Sequence, residues 1–402
     1  MLLLYISGIR LYSFIIWIFS FFNKKAKLFC EGRKDIFETI RTTINPNDRH
    51  IWFHFASLGE FEQGRPVLEK LKTQHPEKKI VVTFFSPSGY EIRKNYALAD
   101  VFYLPMDSAR NAAKFLDLIN PELVIFTKYE FWHFYFKELR KRQIPLYVIS
   151  GIFRPKQAFF KWYGHFYRNI LQCVTHFFVQ NTESKTLLNA IGICEVSISG
   201  DTRFDRVYEN AMAPRSIAEI ETFVGTSNCL VCGSTWPDDE KILTVLPSQF
   251  PEWKFIIAPH EIHGSHISEI EKLFPEAIKF SDWKLKPETS NDQNILIIDN
   301  IGMLSALYSY GKVAYIGGGF GTGIHNTLEA AAFGLPVIFG PKYDKFQEAK
   351  DLLQIGAAKS ISSADELLEA FKFSIANAAS EKARGYVNEK KGATEMILRE
   401  IG

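Results

Sequence analysis

The chain has 402 residues, 47% hydrophobic and 23% charged, more than one hydrophobic core organises, so two domains of ordinary size are expected. A net charge of +2 gives no field for a polyanion, and nucleic acid is not an expected partner. The five scattered cysteines predict reduced thiols rather than a disulfide framework, and the Cys229–Cys232 spacing, with no second pair near it, reads as two core thiols.

The first element, MLLLYISGIRLYSFIIWIFSFF, carries Arg10 as its one charge and is followed by Lys24, Lys25 and Lys27. A secretory leader has its positive charge ahead of the apolar run, so this is not one. Arg10 costs a spanning helix about 2.5–3.5 kcal/mol at mid-run. Residues 1–25 are therefore predicted to be a membrane anchor, either a single span or a helix lying in the interface with Arg10 snorkelling, the alternative being a helix packed on the protein's own surface. Both leave the remainder in the cytoplasm.

From His50 onward, HIWFHFAS, KIVVTFFS, VFYLP, LVIFTKY, PLYVIS and THFFVQN are continuous apolar runs separated by helical patterns. Such runs predict strands covered on both faces, hence a parallel, doubly wound sheet. Residues 196–216 lose this rhythm, carry a proline and read as a linker. CLVCGST, KFIIAPH, NILIIDN, VAYIGGG and LPVIFGP then start a second series. The expected domains are 26–205 and 206–402, the last thirty-odd residues being helical and free either to stay with the second domain or to pack back on the first. Tandem domains of this kind place ligand sites beyond the carboxyl ends of their strands.

Residues just past strand ends are thus the candidates for chemistry. GGGFGTGIHNTLEAAAFGLPVIFGP follows a strand but lacks the third glycine of a dinucleotide fingerprint and the Gly-Lys-Ser/Thr of a P-loop. It predicts a glycine turn opening a helix at His325, with Glu329 one turn further on the same face and Gly334 at the end. Two readings stay open: an anion cradle with a ribose-binding carboxylate, or a plain turn with a helix-internal Glu. Glu60, in FASLGEFEQGRP, follows the first strand and is a candidate general base or a first-turn partner of the helix dipole. Glu130 follows the fourth strand, and Arg203 in SGDTRFDR could face a developing phosphate charge or simply sit exposed at a hinge. Between Glu130 and Ile170, eight Lys/Arg stand against two Glu among many aromatics, a composition suited to anionic lipid headgroups or to ordinary amphipathic helices. No D-x-D occurs, and His260, His263 and His266 lack an evident fourth ligand, so no metal is expected.

The order of GEFEQGRP, KYEFW, GDTRFD, GSTWPDDE, APHE, DNIGML and the glycine stretch, behind an apolar anchor, resembles the bacterial 3-deoxy-D-manno-octulosonic acid (Kdo) transferases of lipopolysaccharide synthesis over nearly the whole chain. The resemblance implies a GT-B-like α/β fold, two doubly wound Rossmann-type domains facing a cleft. It implies CMP-Kdo as donor, a lipid A precursor as acceptor, and the cytoplasmic face of the inner membrane as location, with no cofactor beyond the donor. Glu60 matches the family's base. Glu130 matches the second acid of a Glu-Thr-Glu-Leu-Trp pattern in which Lys128 and Tyr129 replace Glu-Thr, and Arg203 stands where Lys is usual. On the CMP side, Pro259 and His260 match a Pro-Arg pair, while Ile301, Gly302 and Met303 match a Met-Gly-Glu pattern. Asn326, Thr327, Leu328 and Glu329 match an Asn-x-x-Glu pattern, with Thr327 in place of Pro. The implied reaction is inverting, metal-independent transfer. The nearest alternatives are a membrane-associated GT-B transferase using a UDP-sugar, a UDP-sugar 2-epimerase of the same fold, and a non-catalytic lipid-surface protein.

Overall fold

The computed structural model describes residues 1–285, 293–376 and 378–402. The chain divides into two compact units, Met1–Asp205 with Gly392–Gly402, and Arg206–Lys391.

The first unit is built on β1 (His50–Phe55), β2 (Lys79–Phe84), β3 (Asp100–Tyr103), β4 (Pro121–Thr127), β5 (Leu146–Gly151), β6 (His176–Val179) and β7 (Val196–Ile198). All pair in parallel, in the order β3-β2-β1-β4-β5-β6-β7. Alternate residues feed opposite faces, as the strand period of two requires. Trp52, Val81, Val124, Phe126 and Val148 enter one core layer, while Ile51, Phe53, Phe55, Val82 and Ile125 enter the other. Much of the chain's aromatic content lies here, with Trp52 packed edge-on against Phe115 and Phe126 at 5.0 and 5.2 Å. Ser57, Ser86, Ser108 and Asn181 cap the helices that follow β1, β2, β3 and β6, each cap contributing about 1 kcal/mol.

The second unit carries β8 (Cys229–Thr235), β9 (Lys254–Pro259), β10 (Ile278–Lys279), β11 (Ile295–Ile297), β12 (Val313–Ile316), β13 (Val337–Phe339) and β14 (Ala358–Ser360). They form another parallel sheet, β10-β11-β9-β8-β12-β13-β14. Both Cys229 and Cys232 are buried in β8 and free, and burial pushes both thiols up.

Each apolar run singled out in the sequence is a strand. The expected linker is not one: residues 196–216 contain β7 and the Arg203–Met212 helix. Phe204 and Val207, one helical turn apart, are buried, and that short apolar stripe makes the segment structured. The short strands β7, β10 and β14 have too few apolar residues to show as runs.

The N-terminal helix, Leu2–Phe19, lies along the first unit. Its half-buried positions, Tyr5, Ile6, Ile9, Ser13 and Ile16, recur at helical spacing. Tyr5 donates its hydroxyl to the buried Asp107 at 2.5 Å, and Tyr12 stacks on Phe85 with centroids 6.1 Å apart. Asp107 also accepts from the amides of Phe134 and Tyr135, at the start of the His133–Lys141 helix. The outward face is apolar, with Leu3, Leu4, Leu11, Phe14, Trp17 and Phe19 exposed. The helix is long and apolar enough to cross a membrane, with a mean hydropathy of 1.8.

The C-terminal Ala393–Ile401 helix returns to the first unit, where Ile397 and Leu398 join the core layer of Phe53 and Phe55. Asp205 fastens its start, accepting from the Gly392 amide and from the Thr394 amide and hydroxyl, the latter two at 2.7 Å. An Asp205→Ala substitution leaves those donors unpaired and is expected to cost about 2–3 kcal/mol locally. Hydrogen exchange across residues 394–401 should then accelerate by roughly thirtyfold or more, while the β8 and β9 amides keep wild-type protection.

Candidate active site

A doubly wound sheet opens where neighbouring strands send their connections in opposite directions. In the first unit that point lies between β1 and β4, and the acids chosen from sequence lie there. Glu60 occupies the first turn of the Leu58–Gln74 helix, which begins just beyond β1. Ser57 caps this helix through the Gly59 amide at 3.2 Å and donates its hydroxyl to Glu60 Oε2. Glu60 Oε1 takes no hydrogen bond among the described residues.

Glu130 follows β4. Its Oε2 lies 2.5 Å from Nε2 of His54, a β1 residue only 1% exposed, and accepts from Trp132 Nε1 at 3.4 Å. His54 Nδ1 meets Thr83 Oγ1 at 2.8 Å, and Trp52 Nε1 donates to that same oxygen at 2.7 Å. The sequence reading missed His54: a histidine inside an apolar strand has no local signal until its partners on β2 and after β4 are known.

Arg203 opens the Arg203–Met212 helix. Its Nε and Nη2 grip Asp201 Oδ2 at 2.9 and 2.8 Å, a fork held from the other side by Gln63 Nε2 at 3.2 Å. Asp201 and Gln63 are buried, so the guanidinium is oriented by the protein rather than waving at a hinge. Tyr129 is exposed beside this group. Burial raises its hydroxyl, which Arg154 lowers again and which Glu60 and Asp201 raise further. Lys128 and Ser150, at the ends of β4 and β5, hold left-handed backbone with φ of 62° and 51°, strain of the kind that concentrates at sites.

In the second unit the corresponding point lies between β8 and β12, and rings occupy it. Trp236, just past β8, donates Nε1–H to His325 Nε2 at 3.0 Å, the two rings only 6° from coplanar. His260, just past β9, stacks over both, with centroids 4.9 Å from Trp236 and 4.3 Å from His325. The three histidines near β9 have separate partners: His260 in this stack, His263 capping the Gly264–Leu273 helix, and His266 buried 3.0 Å from Glu240. Among the described residues no cluster of His, Cys, Asp and Glu could hold a metal.

The glycine stretch differs from its expected form. The helix there is only Leu328–Ala332, so His325 precedes it and does not share a face with Glu329. The amides of Gly317, Gly318, Gly321, Gly323, Ile324 and His325 are already spent inside the protein, Gly318 on the buried Asp239 at 2.8 Å. The glycines serve close backbone packing instead: a Cβ at Gly317 would lie 2.2 Å from Ser234 O, and one at Gly319 2.5 Å from Gly340 Cα. Asn326 caps the short helix through Leu328 N and donates to Glu329 Oε1 at 3.0 Å. Ile301 is 81% exposed, and Gly302 has φ of 88°. Met303, Thr327 and Leu328 are buried, which leaves their backbone as what they can offer a ligand. Pro259 ends β9, also buried.

Residues 31–206 match the family model described as 3-deoxy-D-manno-octulosonic-acid transferase (kdotransferase). The 3-deoxy-D-manno-octulosonic acid transferase of Rickettsia felis is 27% identical over 335 residues, 79% of this chain and 70% of that protein. That of Chlamydia muridarum is 28% identical over 333 residues, 80% of this chain and 76% of its own length. Among solved structures, the UDP-GlcNAc 2-epimerase of Neisseria meningitidis superposes with a TM-score of 0.60 at 16% identity, covering 87% of this chain and 98% of that one. MurG of Acinetobacter baumannii does so with 0.53 at 12% identity, covering 88% and 99%. These superpositions show the fold alone: a GT-B-like pair of doubly wound units.

The ring stack has a measurable pH signature. Burial, with His260 adding to it, pushes His325 down to about 4, against about 6.5 in an unfolded chain. The folded unit therefore binds fewer protons between these values. The stability His325 contributes is complete above about pH 6.5 and is lost as pH falls toward 4. Discounted for partial solvent access, the loss is on the order of 1 kcal/mol. Exchange of the β12 amides is expected to quicken over that window in the wild type, and the His325→Asn protein to lose the pH step.

Proposed function

We propose, from the premise that this chain belongs to the family of Kdo transferases, that it moves Kdo from CMP-Kdo to a lipid A precursor at the cytoplasmic face of the inner membrane. Membership makes it a glycosyltransferase of lipopolysaccharide synthesis; donor, acceptor and location are the finer reading. The observation carrying that reading is that Glu60, Glu130 and Arg203 all fall within the matched segment and all lie beyond the carboxyl ends of strands in the first unit.

The chemistry is a single displacement with inversion. Glu60 takes the proton of an acceptor sugar hydroxyl as that oxygen bonds to the anomeric carbon of Kdo, and the bond to the CMP phosphate breaks. The Ser57 hydroxyl holds one oxygen of Glu60, which leaves the other to receive the proton. Arg203, oriented by Asp201, offers a fixed positive charge to the departing phosphate, and Glu130 offers a fixed negative one to the positive charge that develops on the sugar. His260, the Ile301–Met303 turn and the Asn326–Glu329 segment receive CMP, with Glu329 on the ribose. A protein charge at the phosphate takes the place of a divalent ion, and the transfer is metal-independent.

The N-terminal helix anchors the first unit flat on the bilayer. Tyr5 and Tyr12, two turns apart, both hold it against its own unit, which favours the interfacial reading over a span. Its exposed apolar face then enters the lipid, where Trp17 suits the headgroup level and Lys24, Lys25 and Lys27 suit anionic lipid.

Glu60→Gln, assayed with CMP-Kdo and tetraacylated lipid A precursor in excess chelator, is expected to lose transfer by about a thousandfold while calorimetry finds its CMP affinity unchanged. Wild-type activity in the variant would remove Glu60 as the base, and wild-type inactivity in chelator alone would end the metal-free reading. In a separate flotation assay, the protein should rise with phosphatidylglycerol-containing vesicles, and the Leu11→Glu, Phe14→Glu double variant should stay at the bottom of the gradient.

A further inference from the structure

Glu130 is the half-buried end of a buried polar chain. Trp52, Thr83 and His54 lie inside the first sheet, 0%, 0% and 1% exposed, where polar groups persist only if satisfied. Their chemistry constrains where the protons lie. An indole nitrogen only donates, so Trp52 fills one lone pair of Thr83 Oγ1 at 2.7 Å. The second lone pair of that oxygen and its one proton remain for His54 Nδ1 at 2.8 Å and Phe53 O at 3.5 Å. On the other side of the ring a carboxylate only accepts, so Nε2 carries a proton toward Glu130 Oε2, 2.5 Å away.

We propose that His54 is a positioning residue for the transfer reaction, holding Glu130 at the mouth of the β1/β4 opening by donating Nε2–H to its Oε2, with the ring braced from behind by Thr83 and Trp52. This rests on the role given to Glu130 above. The clamp engages one carboxylate oxygen, which Trp132 also meets at 3.4 Å, and leaves Oε1 turned to the site without a hydrogen bond among the described residues. A Glu on the loop after β4 would otherwise spread over several rotamers, and displacement of a charged group by an ångström costs up to about a hundredfold in rate. His54 reaches neither substrate, so its loss should appear in turnover and not in binding.

The test has two arms. In the whole protein, the nitrogen resonances of His54 should show a proton-bearing, pyrrole-like Nε2; a bare, pyridine-like Nε2 overturns the proposal. This arm reads the clamp directly, so it stays decisive even if the protein transfers a different sugar, a result that would sink the functional reading by itself. In steady-state assays, His54→Phe keeps the ring and its burial but has no donor. Its kcat should fall about tenfold to a hundredfold, with KM for both substrates within about twofold of wild type. His54→Gln, which can return an N–H to the same place, should recover most of that loss. A kcat within twofold of wild type in His54→Phe, a loss confined to KM, or a loss that Gln does not repair would each overturn it. If His54→Phe does not fold, the resonance arm on the wild type decides.

Discussion

A parallel sheet covered on both faces has one kind of place where polar side chains can work: beyond the carboxyl ends of its strands, where successive connections part. Both sheets of this chain obey that constraint. β1 and β4 flank the first opening, with β8 and β12 at the second. The polar groups past strand ends include Glu60, Glu130 and Arg203 in one unit and the Trp236–His260–His325 stack in the other. The apolar layers behind them fix the strand ends, and the strand ends fix these side chains.

Polar groups that remain inside the layers do mechanical work. Asp239 and Glu240 are each 1% exposed, and burial pushes both carboxyls up against the hydrogen bonds that favour their charge. Asp239 ties the helix after β8 to Tyr315 on β12 and to Gly318 in the glycine loop, while Glu240 ties that helix to His266. Such pairs contribute little net energy, but removal of either partner strands a polar group in the core. The same logic applies to Asp107, which joins the N-terminal helix to the helix carrying Phe134 and Tyr135. A buried acid in this chain is a clamp, whereas Glu60 and Glu130 each keep one oxygen clear of hydrogen bonds among the described residues.

That distinction marks the boundary of what the sequence could tell. Continuous apolar runs disclose strands because burial on both faces leaves no other composition, and the position of a residue just past such a run discloses its reach into the site. The partners of that residue are a matter of long-range pairing. Nothing near His54 names Thr83 or Glu130, and nothing near Arg203 names Gln63. The glycine stretch shows the converse hazard. Its composition is that of an anion cradle, yet most of its amides are consumed by Gly233, Asp239, Lys342 and the loop itself, and its glycines answer to the backbone of Ser234 and Gly340. Local pattern cannot distinguish a glycine that makes room for a ligand from one that makes room for another strand.

The return of the last helix to the first unit makes the second unit, in topological terms, an insertion. The chain leaves at Asp205 and re-enters at Gly392, and Asp205 itself receives the re-entering amides. Synthesis proceeds in the other order: all of Arg206–Lys391 emerges before Ile397 and Leu398 can cover Phe53 and Phe55. During translation, therefore, the later-made unit can complete its core while the earlier-made one still waits with an uncovered aromatic face. The unit that bears the N-terminal helix is the last to close.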